Sequence, residues 1–77
     1  MIDNKCLLQL LNNRRIIAIR LSDIMEVSYG TARNRIMISD FSIVEANKIS
    51  KHLNIPLQDF AEILEGNKDI LKKYLIK

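Results

Sequence analysis

Apolar residues recur at spacings of three and four along most of this chain, and the stretches that carry them open on residues able to cap a helix. Such caps stand at Asp3 or Asn4, at Ser28, at Ser42 and at Asn67. That rhythm suits a set of short amphipathic helices and little else. With two glycines and one proline there is scant material for tight hairpins. At 77 residues the chain makes one domain, 1–77, and a domain of that size buries only about 60–65% of its unfolded surface. The expectation is an all-α bundle of five to six helices around a small aliphatic core.

The first helix is expected from Asp3 or Asn4 to Asn13, with Leu7, Leu8, Leu10 and Leu11 as its buried stripe. Residues 14–21 are rich in isoleucine and could pair as a strand. Ile17, Leu21, Ile24 and Met25 nevertheless fall at helical spacing and predict a helix over 18–25. Ser28 opens a helix over 29–37, with Ala32 and Ile36 on one side and Gly30, Arg33, Asn34 and Met37 on the other. Ser42-Ile43-Val44-Glu45 is a capping box, followed by a buried face of Ile43, Ala46, Ile49 and Leu53. Asn54 suits a left-handed C-cap. Pro56 opens a fifth helix through Glu65, with Leu57, Phe60, Ala61 and Leu64 inward, and Gly66 ends it. Asn67 caps a short sixth helix within 67–77 carrying Ile70, Leu71, Tyr74 and Leu75.

Several functions find no support in the residues. Cys6 is the sole cysteine, so neither an internal disulfide nor a cysteine-based zinc site can form, and the thiol is expected to be a small buried apolar group. His52 is the sole histidine, with Lys48 and Lys51 one turn back, and no nucleophile has a base and an orienting partner in view. No glycine-rich phosphate loop or metal-ligand cluster stands in the sequence. The chain is therefore expected not to be an enzyme and to need no cofactor. No apolar run reaches the roughly 18 residues of a membrane span, and the cytoplasm is the expected compartment.

The formal charge is +3, and its placement says more than its size. Arg14, Arg15, Arg20, Arg33 and Arg35 lie within one segment that holds only Asp23 and Glu26 as carboxylates. In the last third of the chain, Lys68, Lys72, Lys73 and Lys77 are balanced by Asp59, Glu62, Glu65 and Asp69. The excess is carried by arginine, around two short helices joined by Glu26-Val27-Ser28. That connectivity is a helix-turn-helix, in which the first helix braces the second across a major groove.

The residue types resemble the Cro/CI-type, or Xre-like, helix-turn-helix family of phage and bacterial repressors. Arg20-Leu21-Ser22-Asp23-Ile24-Met25-Glu26-Val27-Ser28 matches the family's leucine–small–x–x–apolar–x–valine–serine pattern, and Thr31-Ala32-Arg33-Asn34-Arg35-Ile36 continues it. The stretch over 40–60, with its capping box and Leu53-Asn54-Ile55-Pro56-Leu57 tail, is similar to the family's last two core helices. The similarity spans roughly residues 4–65. Departures are Glu26 where glycine is common in the turn, Ala18 where glutamine often opens the second helix, Met37-Ile38-Ser39 in place of an Asn-Gly loop, and Gly30 inside the recognition helix.

The resemblance implies a lambda-repressor-like fold with its helix-turn-helix at 18–37. It further implies sequence-specific binding of a double-stranded DNA operator by a transcriptional regulator. On that footing Tyr29, Gly30, Arg33 and Asn34 are the candidates for base contacts, since arginine can pair with guanine and asparagine with adenine. Arg14, Arg15, Arg20, Ser28, Thr31 and Arg35 are the candidates for phosphate contacts. A homodimer is expected, its surface within 57–77, because one recognition helix reads only a few base pairs. The competing expectation is a small modulator or antirepressor that uses the same fold to hold a repressor protein. Its candidate surface comprises Ile19, Met37 and Ile38 beside the recognition helix, with Ile70 and Tyr74 in the sixth.

Overall fold

A computed structural model describes residues 4–76. Six helices follow one another: α1 (Lys5–Asn13), α2 (Ala18–Met25), α3 (Tyr29–Ile38), α4 (Ile43–Leu53), α5 (Leu57–Leu64) and α6 (Lys68–Tyr74). No strand occurs among the described residues, so the isoleucine-rich stretch at 14–21 resolves into a turn and the start of α2. None of these helices is long and apolar enough to cross a membrane.

The chain ends its first five helices in the same way. Arg15, Glu26, Ser39, Asn54 and Gly66 all have positive φ, between 52° and 95°. Around each, the next residue's N–H returns to a carbonyl in the last turn: Ile16 to Leu11, Val27 to Ser22, Asp40 to Arg35, Ile55 to Ser50 and Asn67 to Glu62, at 2.8–3.2 Å. The positive-φ residue bonds a second carbonyl of that turn. This is the Schellman arrangement, which satisfies carbonyls that a helix end leaves open. At three of these corners the following residue is apolar, and Ile16, Val27 and Ile55 then turn into or against the core. Only Gly66 and Asn54 are residue types that favour this backbone; Arg15, Glu26 and Ser39 adopt it at a cost of about 1 kcal/mol each.

The helix starts are as specific. Ser28 Oγ accepts from Thr31 N, and Asn67 Oδ1 from Ile70 N. Ser42 and Glu45 complete a reciprocal capping box, at 3.1 and 2.9 Å. Asn4 occupies the N-cap position of α1 without capping it; its amide reaches instead to the carbonyl of Ile36, 3.1 Å away on α3. The alternative cap, Asp3, lies outside the described residues.

One core joins α1, α2, α4, α5 and α6 through Leu7, Leu10, Leu21, Met25, Ile49, Phe60, Ile63 and Leu71, all fully buried. Cys6 is buried among them. Ser22, Ser39 and Ser50 are buried too, each hydroxyl donating to a backbone carbonyl, so their small side chains cost no unmet hydrogen bond.

Four expected stripes shift. Leu8 is exposed, because α1 turns Cys6, Leu7, Leu10 and Leu11 inward. Ile17 stands before the first turn of α2 and Ile43 in the first turn of α4. Both project into solvent, Ile43 by 81%, where the apolar stripe outruns the neighbouring helices. In α5 the buried side is Phe60 and Ile63, leaving Leu57 and Ala61 exposed.

The sixth helix packs on α1 and α5. Asn13 pairs with the backbone of Ile76 in both directions, its Nδ2 donating at 2.9 Å and its Oδ1 accepting at 2.8 Å. The Tyr74 hydroxyl donates to Asp59. Residues 67–76 therefore close the core. Ile70 and Tyr74, expected as a partner surface, are half-buried against it.

Candidate nucleic-acid interface

The turn between α2 and α3 is built on Glu26. Its φ of 61° puts it in the left-handed region, which glycine adopts without strain and a glutamate adopts at a cost. The carboxylate leans on Lys48 of α4 at 2.7 Å, and that ammonium holds Glu26 below the ordinary carboxylate range. Lys48 Nζ also donates to the carbonyl of Met25, so one cation serves both the last turn of α2 and the residue that ends it. The lysine thereby fixes the turn that aims α3, a role no single-residue pattern in the sequence announces.

Within α3 only Ala32 is fully buried. Tyr29, Gly30, Arg33, Asn34, Met37 and Ile38 are exposed, and Thr31, Arg35 and Ile36 are half-buried. A ten-residue helix held mainly by α2 thus offers most of its side chains to solvent. The Arg33 guanidinium lies 5.8 Å from the centroid of the Tyr29 ring, one turn back. That stack restrains a side chain that would otherwise sample many rotamers. An added Cβ at Gly30 would meet nothing within 4 Å. The glycine is not demanded by packing, and the helix backbone is bare on that side.

The arginines divide into two groups. Arg14 turns inward: its guanidinium donates to the carbonyl of Leu53 at 3.2 Å and to that of Tyr74 at 2.8 Å. Those are the last residues of α4 and α6, where helix dipoles favour a cation. Its Nε is buried without a partner. Arg35 donates to Glu45 at 2.9 Å, tying the last turn of α3 to the capping box of α4. The Ser42 N–H, and after it the Arg35 guanidinium, hold Glu45 below the ordinary carboxylate range against the opposing effect of burial. Both arginines, expected at phosphates, are thus committed to the fold. Arg15, Arg20 and Arg33 are exposed and have no hydrogen bond or ion pair among the described residues.

Ser28 and Thr31 form a local pair at the start of α3. The Ser28 hydroxyl donates to Thr31 Oγ1 at 2.9 Å while accepting from the Thr31 N–H. Ile19, Met37 and Ile38 are exposed, but so are Leu8, Ile17, Ile43 and Val44, which the apolar periodicity had put inside or left unremarked. The described residues contain no group of three or more metal-ligating side chains close enough to share an ion. No protein-family model matches the chain, and comparisons with curated proteins and with solved structures likewise return no match.

Proposed function

We propose that the protein is a sequence-specific DNA-binding regulator of the Cro/CI-type, in which α3 enters the major groove and α2 braces it. One observation carries this proposal: α3 buries a single residue fully and keeps Arg33 and Asn34 exposed, with the guanidinium unpaired and steadied by Tyr29. Those two side chains match guanine and adenine edges respectively. The bare backbone at Gly30 permits close approach to a base or sugar. Arg15 and Arg20, with Ser28 and Thr31 at the helix start, are the phosphate contacts in this scheme. Arg14 and Arg35 drop out of it, because their donors are spent inside the fold.

The functional unit is a homodimer whose recognition helices meet successive half-sites about 34 Å apart. Its surface is sought on the exposed part of 57–77. Deleting α6 is a poor probe of it, since Leu71 is buried and the end of the chain is tied to α1. Leu57→Glu, at an exposed position, is the cleaner change.

The test is selection of duplexes from a random pool, followed by titration at several salt concentrations. The proposal expects a recovered consensus and a binding constant that falls steeply with salt, each phosphate contact adding about 0.9 to the slope. Binding that is weak and indifferent to sequence would sink it.

A further inference from the structure

A groove of about 740 Å³ runs between α1, the start of α2 and α3. Leu8, Ile17 and Met37 line it while exposed by 46%, 67% and 67%, with Leu11, Ile16 and Ile36 deeper in. Asn4 ties its two long walls together at one point, the amide donating to the carbonyl of Ile36 at 3.1 Å. Apolar side chains gathered on a concave face lose free energy to water until something covers them.

Among the described residues the lining contains one charge. Arg33 forms part of the wall, none of the described lining residues is a carboxylate, and its guanidinium has no ion pair among the described residues. Two occupants fit poorly. A sugar–phosphate backbone offers nothing apolar to Leu8, Ile17 and Met37. A second copy meeting groove to groove would set one Arg33 against the other with no acid between them. An amphipathic helix satisfies both features, with apolar residues at i, i+3 or i+4 and i+7 for the cleft and a carboxylate for the guanidinium.

We propose that the groove between α1 and α3 docks an acidic amphipathic helix of a partner protein, which inserts apolar side chains against Leu8, Ile17 and Met37 and pairs a carboxylate with Arg33. This site stands without the DNA proposal. Only its corollary rests on that proposal: a docked helix would take Arg33 from the major groove, making partner and operator mutually exclusive.

The test uses the full chain without nucleic acid. A display library of random helical peptides is selected on the protein, and enriched peptides are synthesised and titrated. Recovered sequences should combine apolar residues at helical spacing with Asp or Glu. Met37→Glu and Ile17→Asp, both at exposed positions and so compatible with folding, should each weaken binding by roughly tenfold or more. Arg33→Glu should do the same, and exchanging the peptide's acid for lysine should restore affinity to that variant. The proposal is overturned if no peptide is enriched, if enriched peptides show no acidic preference, or if they bind the three variants unchanged. It is equally overturned if the protein proves to be a dimer that Met37→Glu dissociates, since a second copy would then be the occupant.

Discussion

Arg14→Ala should unfold the protein more readily without touching DNA contacts directly. Its guanidinium donates to two carbonyls at helix ends, Leu53 and Tyr74. Hydrogen bonds from a charged donor contribute about 1.5–3 kcal/mol each. Against this, the buried Nε already lacks a partner, and removing it relieves a penalty of about 1–3 kcal/mol. The net loss is centred on about 2–3 kcal/mol, which for a domain of this length lowers the Tm by roughly 8–24 °C. Thermal and urea unfolding followed by far-ultraviolet circular dichroism measures it directly. Arg14→Lys keeps the charge but cannot span both carbonyls, and should fall between wild type and alanine. A loss below about 1 kcal/mol, on the scale of an ordinary surface substitution, would refute this account. So would unchanged stability accompanied by a salt slope for duplex binding lower by about one unit, because that is the signature of a phosphate contact.

Three further changes separate fold from function. Arg15→Gly relieves a left-handed residue and should stabilise the protein by about 0.5–1 kcal/mol in urea unfolding, while flattening the salt slope by about one unit if Arg15 meets a phosphate. Gly30→Ala, where a Cβ meets open space, should raise stability by about 0.5–1 kcal/mol and yet weaken duplex binding; lower stability would show that the position is packed. Because the folded state lowers the Glu45 pKa, its contribution is complete above the ordinary carboxylate range and is lost as the pH falls through the lowered value. Glu45→Gln should therefore flatten the acid limb of a stability–pH profile, and an unchanged limb would place that dependence on another carboxylate.

Helix number, order and most boundaries were legible because they rest on local chemistry. Ser28, Ser42, Asn54, Gly66 and Asn67 end or begin helices by bonds within a few residues. Periodicity was less reliable at the edges. It identifies a stripe but not where a neighbour stops covering it, which is why Leu8, Ile17, Ile43 and Leu57 were placed inside and lie exposed. The left-handed corners at Arg15 and Ser39 gave no signal, since neither residue type favours that backbone. For the candidate site, composition alone gathers five arginines into one segment. Only the tertiary arrangement separates Arg14 and Arg35, which serve carbonyls and a carboxylate up to 60 residues away, from the three that stay unpaired. The groove depends on α1 and α3 meeting through Asn4 and Ile36, a contact 32 residues apart in sequence that no local pattern reveals.

The central claim is that the exposed face of α3 reads bases. It is tested most directly by titrating wild type and the Arg33→Ala, Asn34→Ala and double variants against a selected duplex and its single-base variants. If α3 reads DNA, Arg33→Ala should cost about 1–3 kcal/mol of affinity and erase the preference at one base pair, Asn34→Ala should do so at another, and the salt slope should scarcely change. A base preference that survives the double substitution intact would contradict the account, because the face turned to DNA would then be a different one.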